Sequence, residues 1–376
     1  MPFIIGFSTI TLAALFCRYG RYTERNKKFF LVLSFLILFV LMGLRSPNLG
    51  TDSLAYNNIF IRVGQQSSFQ NALSVSGISA PGYILFCRII FRLFPFNQAR
   101  IVATTIVILL GIYRYVCKMS NNIYLSILLY ISLTFYVQGF NISRQYMAMA
   151  FLLNAFAEWY IDKKSIKGWV LFVIAMSFHT TAIVGLAAWL LIGNNIDYND
   201  KKQIRKLVLK SLCLSAFIIL AQTQLINVFI RFFPIYRNYF GNRALNQFSD
   251  QGQGRTIVII FGYFAIALYC LFLLRKRIAK PGERLLAAEQ LPLMLFSVII
   301  GILGASYPAI LRMNIFLTIT AITFIPNTFS IDKPSNRRLL TIFTLLLTFA
   351  FLTIYMYEDK SDVLPYSFYW ASQNLY

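Results

Sequence analysis

Long apolar segments separated by short basic loops dominate this chain of 376 residues. Most of these segments approach the roughly 17 to 25 residues that a helix needs to cross the hydrocarbon core of a bilayer. The chain is 58% hydrophobic and only 13% charged, whereas soluble domains average about a quarter charged residues. The sequence therefore predicts an all-α polytopic membrane protein. About ten transmembrane helices are expected, near residues 2–17, 29–44, 99–117, 122–138, 144–161, 207–229, 256–274, 288–304, 308–325 and 339–356.

The charge is strongly positive, with 35 Lys and Arg against 13 Asp and Glu, a formal net charge of +22. In polytopic proteins basic residues collect in cytoplasmic loops. Here they lie in short loops with no separate basic soluble domain, so we expect contact with membrane lipids and no nucleic-acid partner. The five cysteines form no C-x-x-C or Cys/His cluster, so we expect no metal site, disulfide framework or cofactor.

Topology follows from assigning the basic loops to the cytoplasmic side. These loops are 19–28, 161–167, 199–206, 275–284 and 332–338. An even number of crossings must then separate them.

Two segments must be unusual for this count to work. Residues 81–96 would lie on the outer surface as a juxtamembrane helix, with Arg88 and Arg92 on one face. Residues 169–192 would turn back at His179 as a broken, re-entrant hairpin, which is tolerated where it lines a cavity. The alternative is a single crossing that leaves one basic loop on the wrong side.

We expect one integral membrane domain, 1–376, with two functional outer loops. The first, 45–98, contains the juxtamembrane helix. The second, 230–255, is unusually basic for an outer loop, with four arginines against one acid, Asp250. Guanidinium groups among aromatic residues favour an anionic ligand such as a phosphorylated, lipid-linked sugar. Contacts to lipid headgroups and salt bridges within the loop are the alternative. The four arginines are Arg231, Arg237, Arg243 and Arg255.

Polar residues inside apolar helices are costly and are therefore functional candidates. Arg144 and Gln145 begin one apolar helix, and Arg312 lies a turn or two inside another. His179, the only histidine, could transfer a proton or could serve as a hydrogen-bonded structural residue.

The stretch GLRSPNLGTDSLAYNNIF, residues 43–60, is rich in polar residues between apolar runs. Asp52 is the only carboxylate between residues 43 and 80. It either caps the helix that follows or acts as a base on a substrate hydroxyl. No Walker A, G-x-S-x-G or H-E-x-x-H motif is present, so ATPase, serine hydrolase and zinc protease functions lack support.

Three short motifs carry a family resemblance over most of the chain. They are R-x-x-x-x-G-T-D (Arg45, Gly50, Thr51, Asp52), N-x-x-R-Q (Asn141, Arg144, Gln145) and F-H-x-x-A (Phe178, His179, Ala182), and the terminal VLPYSFYW accompanies them. With these motifs the chain resembles the EpsG-type family of Wzy-like polysaccharide polymerases. Family members often carry an acid in the stretch corresponding to ISAPGYILF, where this chain has Ala80, so a role for that acid is not carried over. The layout is also similar to GT-C glycosyltransferases, in topology only.

The resemblance implies a bacterial cytoplasmic (inner) membrane enzyme, active on the outer side, in O-antigen, exopolysaccharide or capsule synthesis. It would join polyprenyl-pyrophosphate-linked oligosaccharide repeats, with a flippase and a chain-length regulator as possible partners. The alternatives are a flippase for lipid-linked sugars and a transferase that adds a single glycosyl or acyl group.

The expected site residues fall into two groups. The catalytic candidates are Asp52 or His179 as base and Arg144 as a stabiliser of pyrophosphate charge. The substrate-binding candidates are Arg45, Tyr56, Asn141, Gln145, Arg255 and Arg312.

Overall fold

The computed structural model is helical, as the apolar periodicity predicts. It describes residues 1–19, 23–192, 200–221, 224, 227, 228, 231, 253–276, 285–304, 308–359 and 361–371. The chain divides into two compact units. The expectation of a single membrane domain stays a prediction.

The first unit comprises Met1–Ala155, Trp169–Ala182 and Ser335–Tyr376. Its helices up to the N-x-x-R-Q motif are α1 (Pro2–Tyr19), α2 (Glu24–Gly43), α3 (Ser53–Gly64), α4 (Phe69–Ser76), α5 (Pro81–Leu93), α6 (Asn97–Met119), α7 (Ile123–Ser132) and α8 (Phe135–Gln138). Next come α9 (Ser143–Ile161), whose last turns belong to the second unit, and α10 (Ile166–Phe178), whose first turn does.

The second unit comprises Phe156–Gly168 and Ile183–Pro334. Its further described helices are α11 (Gly185–Leu191), α12 (Lys201–Leu220), α13 (Gln253–Lys276), α14 (Leu286–Gly304), α15 (Pro308–Thr318) and α16 (Ala321–Ile331). Helix α14 is the centre of this unit and packs against α12, α13, α15 and α16. The last helix of the chain, α17 (Pro334–Tyr357), lies almost entirely in the first unit.

The number of spans is smaller by a strict criterion than the sequence predicts. Among the described residues, four helices are long and apolar enough to cross a membrane, and the number reaches six if each of two bent pairs forms one span. The other expected spans are largely helical over their described residues but fall short of this criterion in length or apolarity. The run 122–138, for example, breaks at Thr134, whose φ of 67° interrupts the helix between α7 and α8. The count of ten stays a prediction.

The segment 45–98, for which the sequence predicts an outer loop, contains α3, α4 and α5, and α5 meets α4 at an angle of 116°. Pro81 begins α5, where its missing N–H costs nothing. Arg88 and Arg92 lie one turn apart on α5, as the sequence predicts, but they differ in burial. The buried guanidinium of Arg88 donates to the backbone carbonyls of residues 66, 67 and 68, at 2.7 to 3.2 Å, whereas Arg92 is exposed. Arg88 therefore holds the α3–α4 connection.

Helices α6 and α9 approach closely at Gly111. A Cβ atom there would lie 2.9 Å from the α-carbon and 3.0 Å from the carbonyl oxygen of Ala150. The same approach lets Asn154 Nδ2 donate to the Gly111 carbonyl at 2.9 Å. The backbone of α9 can therefore shift little without moving Gly111.

Replacing Gly111 by Ala should lower the melting temperature of the purified protein in detergent. Backbone atoms must move to admit the methyl group, and such overpacking costs about 1–3 kcal/mol. Gly262→Ala in α13 is the matched control, since no atom lies within 4 Å of its Cβ position. That control should be neutral or stabilising by up to about 1 kcal/mol, because Ala is the better helix former. Equal melting temperatures for both variants would contradict this helix contact.

Candidate functional site

The first and second sequence motifs lie in contact inside the first unit. Gly50 adopts φ of +102°, and a Cβ atom there would lie 2.5 Å from Asn141 Oδ1 and 3.4 Å from the carbonyl oxygen of Phe140. Only glycine accepts both the positive φ and this close approach. The G-T-D turn therefore packs directly against the N-x-x-R-Q segment.

Arg45 joins the same two segments from within the protein. It is 3% exposed, its Nη2 donates to the Phe140 carbonyl at 2.7 Å, and its guanidinium carbon lies 4.5 Å from the centre of the Phe140 ring. Burial, and then the charge of Arg100, lower the pKa of Arg45 to about 9. Arg45 is thus buried beneath the loop, and the expectation that it binds substrate stays a prediction.

Asp52 occupies the N-cap position of α3 without capping it. Its side chain makes no capping hydrogen bond and is half-buried. Serine and aspartate at N-caps usually accept a bond from the helix backbone. The capping interpretation of Asp52 is therefore wrong, and its interpretation as a base stays a prediction.

Tyr56 connects Asp52 to the start of α9. Burial is the main cause that raises the pKa of Tyr56. The charge of Asp52 raises that pKa further, while Arg144, through its charge and its backbone N–H, and Arg100 act in the opposite direction. Asp52 and Arg144 therefore each lie within electrostatic range of Tyr56. Together with Arg45, Gly50 and Asn141 these three residues are called the motif cluster.

Arg144 brings positive charge to one end of this cluster. It is the second residue of α9, so the positive end of the helix dipole adds to its guanidinium charge. Arg144 is half-buried, and its Nε is a buried donor without a partner among the described residues. Gln145 is 3% exposed and faces the interior. Of the two, only Arg144 is accessible to a ligand.

His179 lies at the predicted helix break. Helix α10 ends at Phe178 and a 3₁₀ turn, Thr180–Val184, follows, so the interruption is confirmed. Reversal of the chain direction stays a prediction. His179 Nδ1 accepts from the Thr181 backbone N–H at 3.3 Å and contacts the Thr181 hydroxyl at 2.6 Å. Because Nδ1 is an acceptor, the neutral ring carries its proton on Nε2.

A row of aromatic rings links the histidine segment to the motif cluster. The ring centres of Tyr56 and Tyr83 are 6.0 Å apart, those of Tyr83 and Phe86 are 6.2 Å apart, and those of Phe86 and Phe178 are also 6.2 Å apart. Helix α5 is thus the wall between Asp52 and His179. Sequence reasoning missed Tyr83, which is fully buried on the inner face of that helix.

The C-terminal segment 361–371 fastens the G-T-D loop. Gly50 N–H donates to the carbonyl of Asp362 at 2.8 Å, Ser46 N–H to that of Ser367 at 2.9 Å, and Tyr369 N–H to that of Leu44 at 3.0 Å. An isolated antiparallel bridge pairs Arg45 with Phe368. The terminal VLPYSFYW stretch, which is part of the family resemblance, therefore has a structural role at this loop.

Two expected binding arginines belong to the second unit. Arg312 is exposed in the second turn of α15, where the sequence predicts it. Arg255 lies in the first turn of α13, with its side chain outside the described part of the structure. The basic loop 230–255 also falls largely outside the described residues. A contribution of these arginines to the motif cluster stays a prediction.

Arg100 is a second residue that sequence reasoning overlooked. It lies in the first turn of α6, is 1% exposed, and donates from Nη2 to Asn57 Oδ1 at 2.7 Å. In the sequence, Arg100 is a charged residue at the start of an apolar run. Such a residue resembles an ordinary basic residue that flanks a helix. Among the described residues, no group of three or more His, Cys, Asp or Glu side chains is placed to bind a metal.

Replacing Gly50 by Ala should abolish activity while leaving a folded protein in the membrane. The methyl group would push Asn141 away from the G-T-D turn and separate Asp52 from Arg144. Gly77→Ala is the matched control, because Gly77 also has positive φ, +69°, but no atom lies within 4 Å of its Cβ position. It should cost about 1 kcal/mol of stability and retain activity. Polymer analysis and protein abundance in cells measure both effects, and full activity of the Gly50 variant would contradict the contact.

Comparison with known proteins agrees with these motifs. The model of the EpsG family matches residues 28–368, which includes all three motifs and most of the terminal segment. No curated protein and no solved structure matches the chain. Since the family model covers nearly the whole sequence, the chain belongs to the EpsG family.

Proposed function

We propose that this protein joins polyprenyl-pyrophosphate-linked oligosaccharide repeats into a polysaccharide at the outer face of the bacterial cytoplasmic membrane. Membership of the EpsG family supports a polymerase-type function in polysaccharide synthesis by a multi-pass membrane protein. The observation that carries the finer proposal is the motif cluster. In it one carboxylate, Asp52, and one partly accessible guanidinium, Arg144, both lie close enough to Tyr56 to act on its pKa.

The reaction needs the two kinds of group that the cluster contains. A hydroxyl oxygen of the incoming repeat forms a bond to the anomeric carbon of the growing chain. The bond from that carbon to the pyrophosphate oxygen breaks, and the electron pair leaves with the pyrophosphate. The hydroxyl proton must pass to a base, and the departing charge must be stabilised.

Asp52 is the better candidate for the base. Its carboxylate is half-buried and is not used to cap α3. It would accept the proton of the attacking hydroxyl, while Arg144 and the amino end of α9 would stabilise the pyrophosphate. Arg255 and Arg312 would add further positive charge for the lipid pyrophosphate. A flippase and a chain-length regulator are expected partners in the same process.

His179 is better suited to donate than to accept. The Thr181 N–H points at Nδ1, so a neutral ring donates through Nε2. An Nε2–H group would hydrogen-bond a pyrophosphate or sugar oxygen. The choice between Asp52 and His179 as base therefore favours Asp52.

Replacing Asp52 by Asn should reduce polymerisation by about 10²–10⁴-fold, the usual contribution of a general base. Single repeats on their lipid carrier should accumulate on the outer face while protein abundance stays normal. Asp162→Asn is a suitable control, since Asp162 is an exposed acid whose carboxylate accepts a local backbone bond from Lys164. Separation of the lipid-linked intermediates by size measures both variants.

Other outcomes would favour other functions. Accumulation of repeats on the inner face would indicate a flippase. Polymer of normal length but altered composition or mass would indicate a transferase that adds a single group. Either result, or unchanged polymer in the Asp52 variant, contradicts the proposed polymerase mechanism.

Two substitutions of His179 test whether this residue acts as a hydrogen-bond donor or as a general base. In His179→Gln the amide nitrogen can occupy the place of Nε2 and still donate, whereas His179→Ala removes the group. We expect the Gln variant to retain at least about tenfold more activity than the Ala variant, which corresponds to one hydrogen bond to a charged group. Chain-length distributions at matched protein levels provide the measurement. Equal loss in both variants would mean that His179 does not act as this donor.

A further inference from the structure

Two arginines, Arg45 in the motif cluster and Arg100 on α6, are buried without an acidic partner among the described residues. Arg45 is 3% exposed and Arg100 is 1% exposed. Each makes a hydrogen bond to a neutral acceptor, Phe140 O and Asn57 Oδ1 respectively. Within the described part of the chain, neither guanidinium forms a salt bridge with a carboxylate. Buried charges are normally paired because their desolvation is costly.

Several donors on these arginines and on neighbouring residues lack hydrogen-bond acceptors among the described residues. Arg45 Nε and Nη1 and Arg100 Nε are buried with no hydrogen-bond partner among the described residues. The same is true of the hydroxyl groups of Thr104 and Ser143. All four residues line one small cavity, with a volume of about 10 Å³, whose other walls are largely apolar. Five unsatisfied polar atoms thus belong to the walls of one space.

Arg88 shows that burial of arginine does not by itself leave donors unsatisfied in this protein. Its guanidinium makes three hydrogen bonds, all to backbone carbonyls of the α3–α4 connection. The protein therefore supplies enough acceptors where a buried arginine has a structural role. At Arg45 and Arg100 the described residues supply one acceptor each, and the remaining buried donors need a further acceptor.

The start of α9 increases the positive potential at the same place. Ser143 is the first residue of this helix of 19 residues and lines the cavity. The first N–H groups of a helix have no partner within it and attract anions. Here the helix end coincides with two guanidinium groups and two hydroxyl groups.

We propose that the cavity between Arg45 and Arg100 binds one small inorganic anion of the size of chloride. The ligand must be an anion because the surrounding groups are donors and carry two positive charges. It must be small because a volume of about 10 Å³ holds a single water-sized particle, whereas a phosphate group is several times larger. The site is distinct from the one proposed for lipid pyrophosphate, which uses the accessible Arg144.

The bound anion would hold α3 and the segment before α9 together. Arg45 contacts the segment before α9 through Phe140, and Arg100 contacts α3 through Asn57. An anion between the two guanidinium groups would cancel the repulsion between them and fix both contacts. Chloride would then stabilise the geometry of the motif cluster without touching the sugar substrate.

Thermal unfolding of the purified full chain in detergent tests this proposal. Melting temperatures are measured in sodium chloride, sodium bromide and sodium gluconate at equal ionic strength. We expect chloride and bromide, but not gluconate, to raise the melting temperature along a saturable single-site curve, by roughly 5 °C at a hundred times the dissociation constant. Crystals grown in bromide should show an anomalous peak in the cavity.

Two matched threonine variants make the test specific. Thr104→Val removes one cavity donor and should raise the chloride concentration at half-effect by about tenfold. Thr341→Val is the control, because Thr341 is equally buried, at 4% exposure, but its hydroxyl donates to the carbonyl of Arg337 within its own helix. The control should keep the chloride response of the natural protein.

Three results would overturn the proposal. The first is a melting temperature that does not depend on halide. The second is an identical chloride response in both threonine variants. The third is stabilisation by inorganic pyrophosphate with none by halide, which would make the cavity part of the substrate site. This experiment measures thermal stability and not polymerisation. A negative result would therefore overturn the anion site without affecting the test of the polymerase function with the Asp52 variant.

Discussion

The hydrogen bond from Arg45 to the Phe140 carbonyl is the contact on which the candidate site depends. It ties the G-T-D loop to the turn that precedes α9, two segments separated by 95 residues in the chain. Gly50 completes this junction through its close approach to Asn141, and the C-terminal segment fastens the same loop from the other side. Once these segments are joined, Asp52 and Arg144 both lie within electrostatic range of Tyr56. The short loop and the start of α9 thus provide the candidate base and the candidate guanidinium group of one proposed site.

The junction concentrates positive charge and donors at one place in a largely apolar protein. Arg45 and Arg100 are buried, while Arg144 is accessible at the start of α9. Such groups are costly at membrane depth unless they bind or are paired. Buried and accessible arginines can serve different purposes here. Buried guanidinium groups can fix the loops, whereas an accessible one can bind a charged lipid. The proposed anion would offset the cost of the buried pair.

Much of the fold and part of the site could be predicted from the sequence. Apolar length predicts the helices, and the break at His179 follows from the even number of crossings that the basic loops require. Three features could not be read in this way. Arg88 faces carbonyls of its own loop, and spacing to Arg92 says nothing about such partners. Arg100 resembles a charged flank until Asn57 is seen opposite it. The tautomer of His179 depends on the Thr181 N–H, a local geometry that no pattern encodes.

Reconstitution of the purified protein tests the central claim most directly. The protein is placed in liposomes with a single lipid-linked oligosaccharide repeat as both donor and acceptor, and glycan length and free polyprenyl pyrophosphate are measured together. The proposed mechanism predicts a ladder of longer lipid-linked chains, with one polyprenyl pyrophosphate released for each new glycosidic bond. Movement of repeats across the bilayer without lengthening, or lengthening without release of the pyrophosphate, would contradict it.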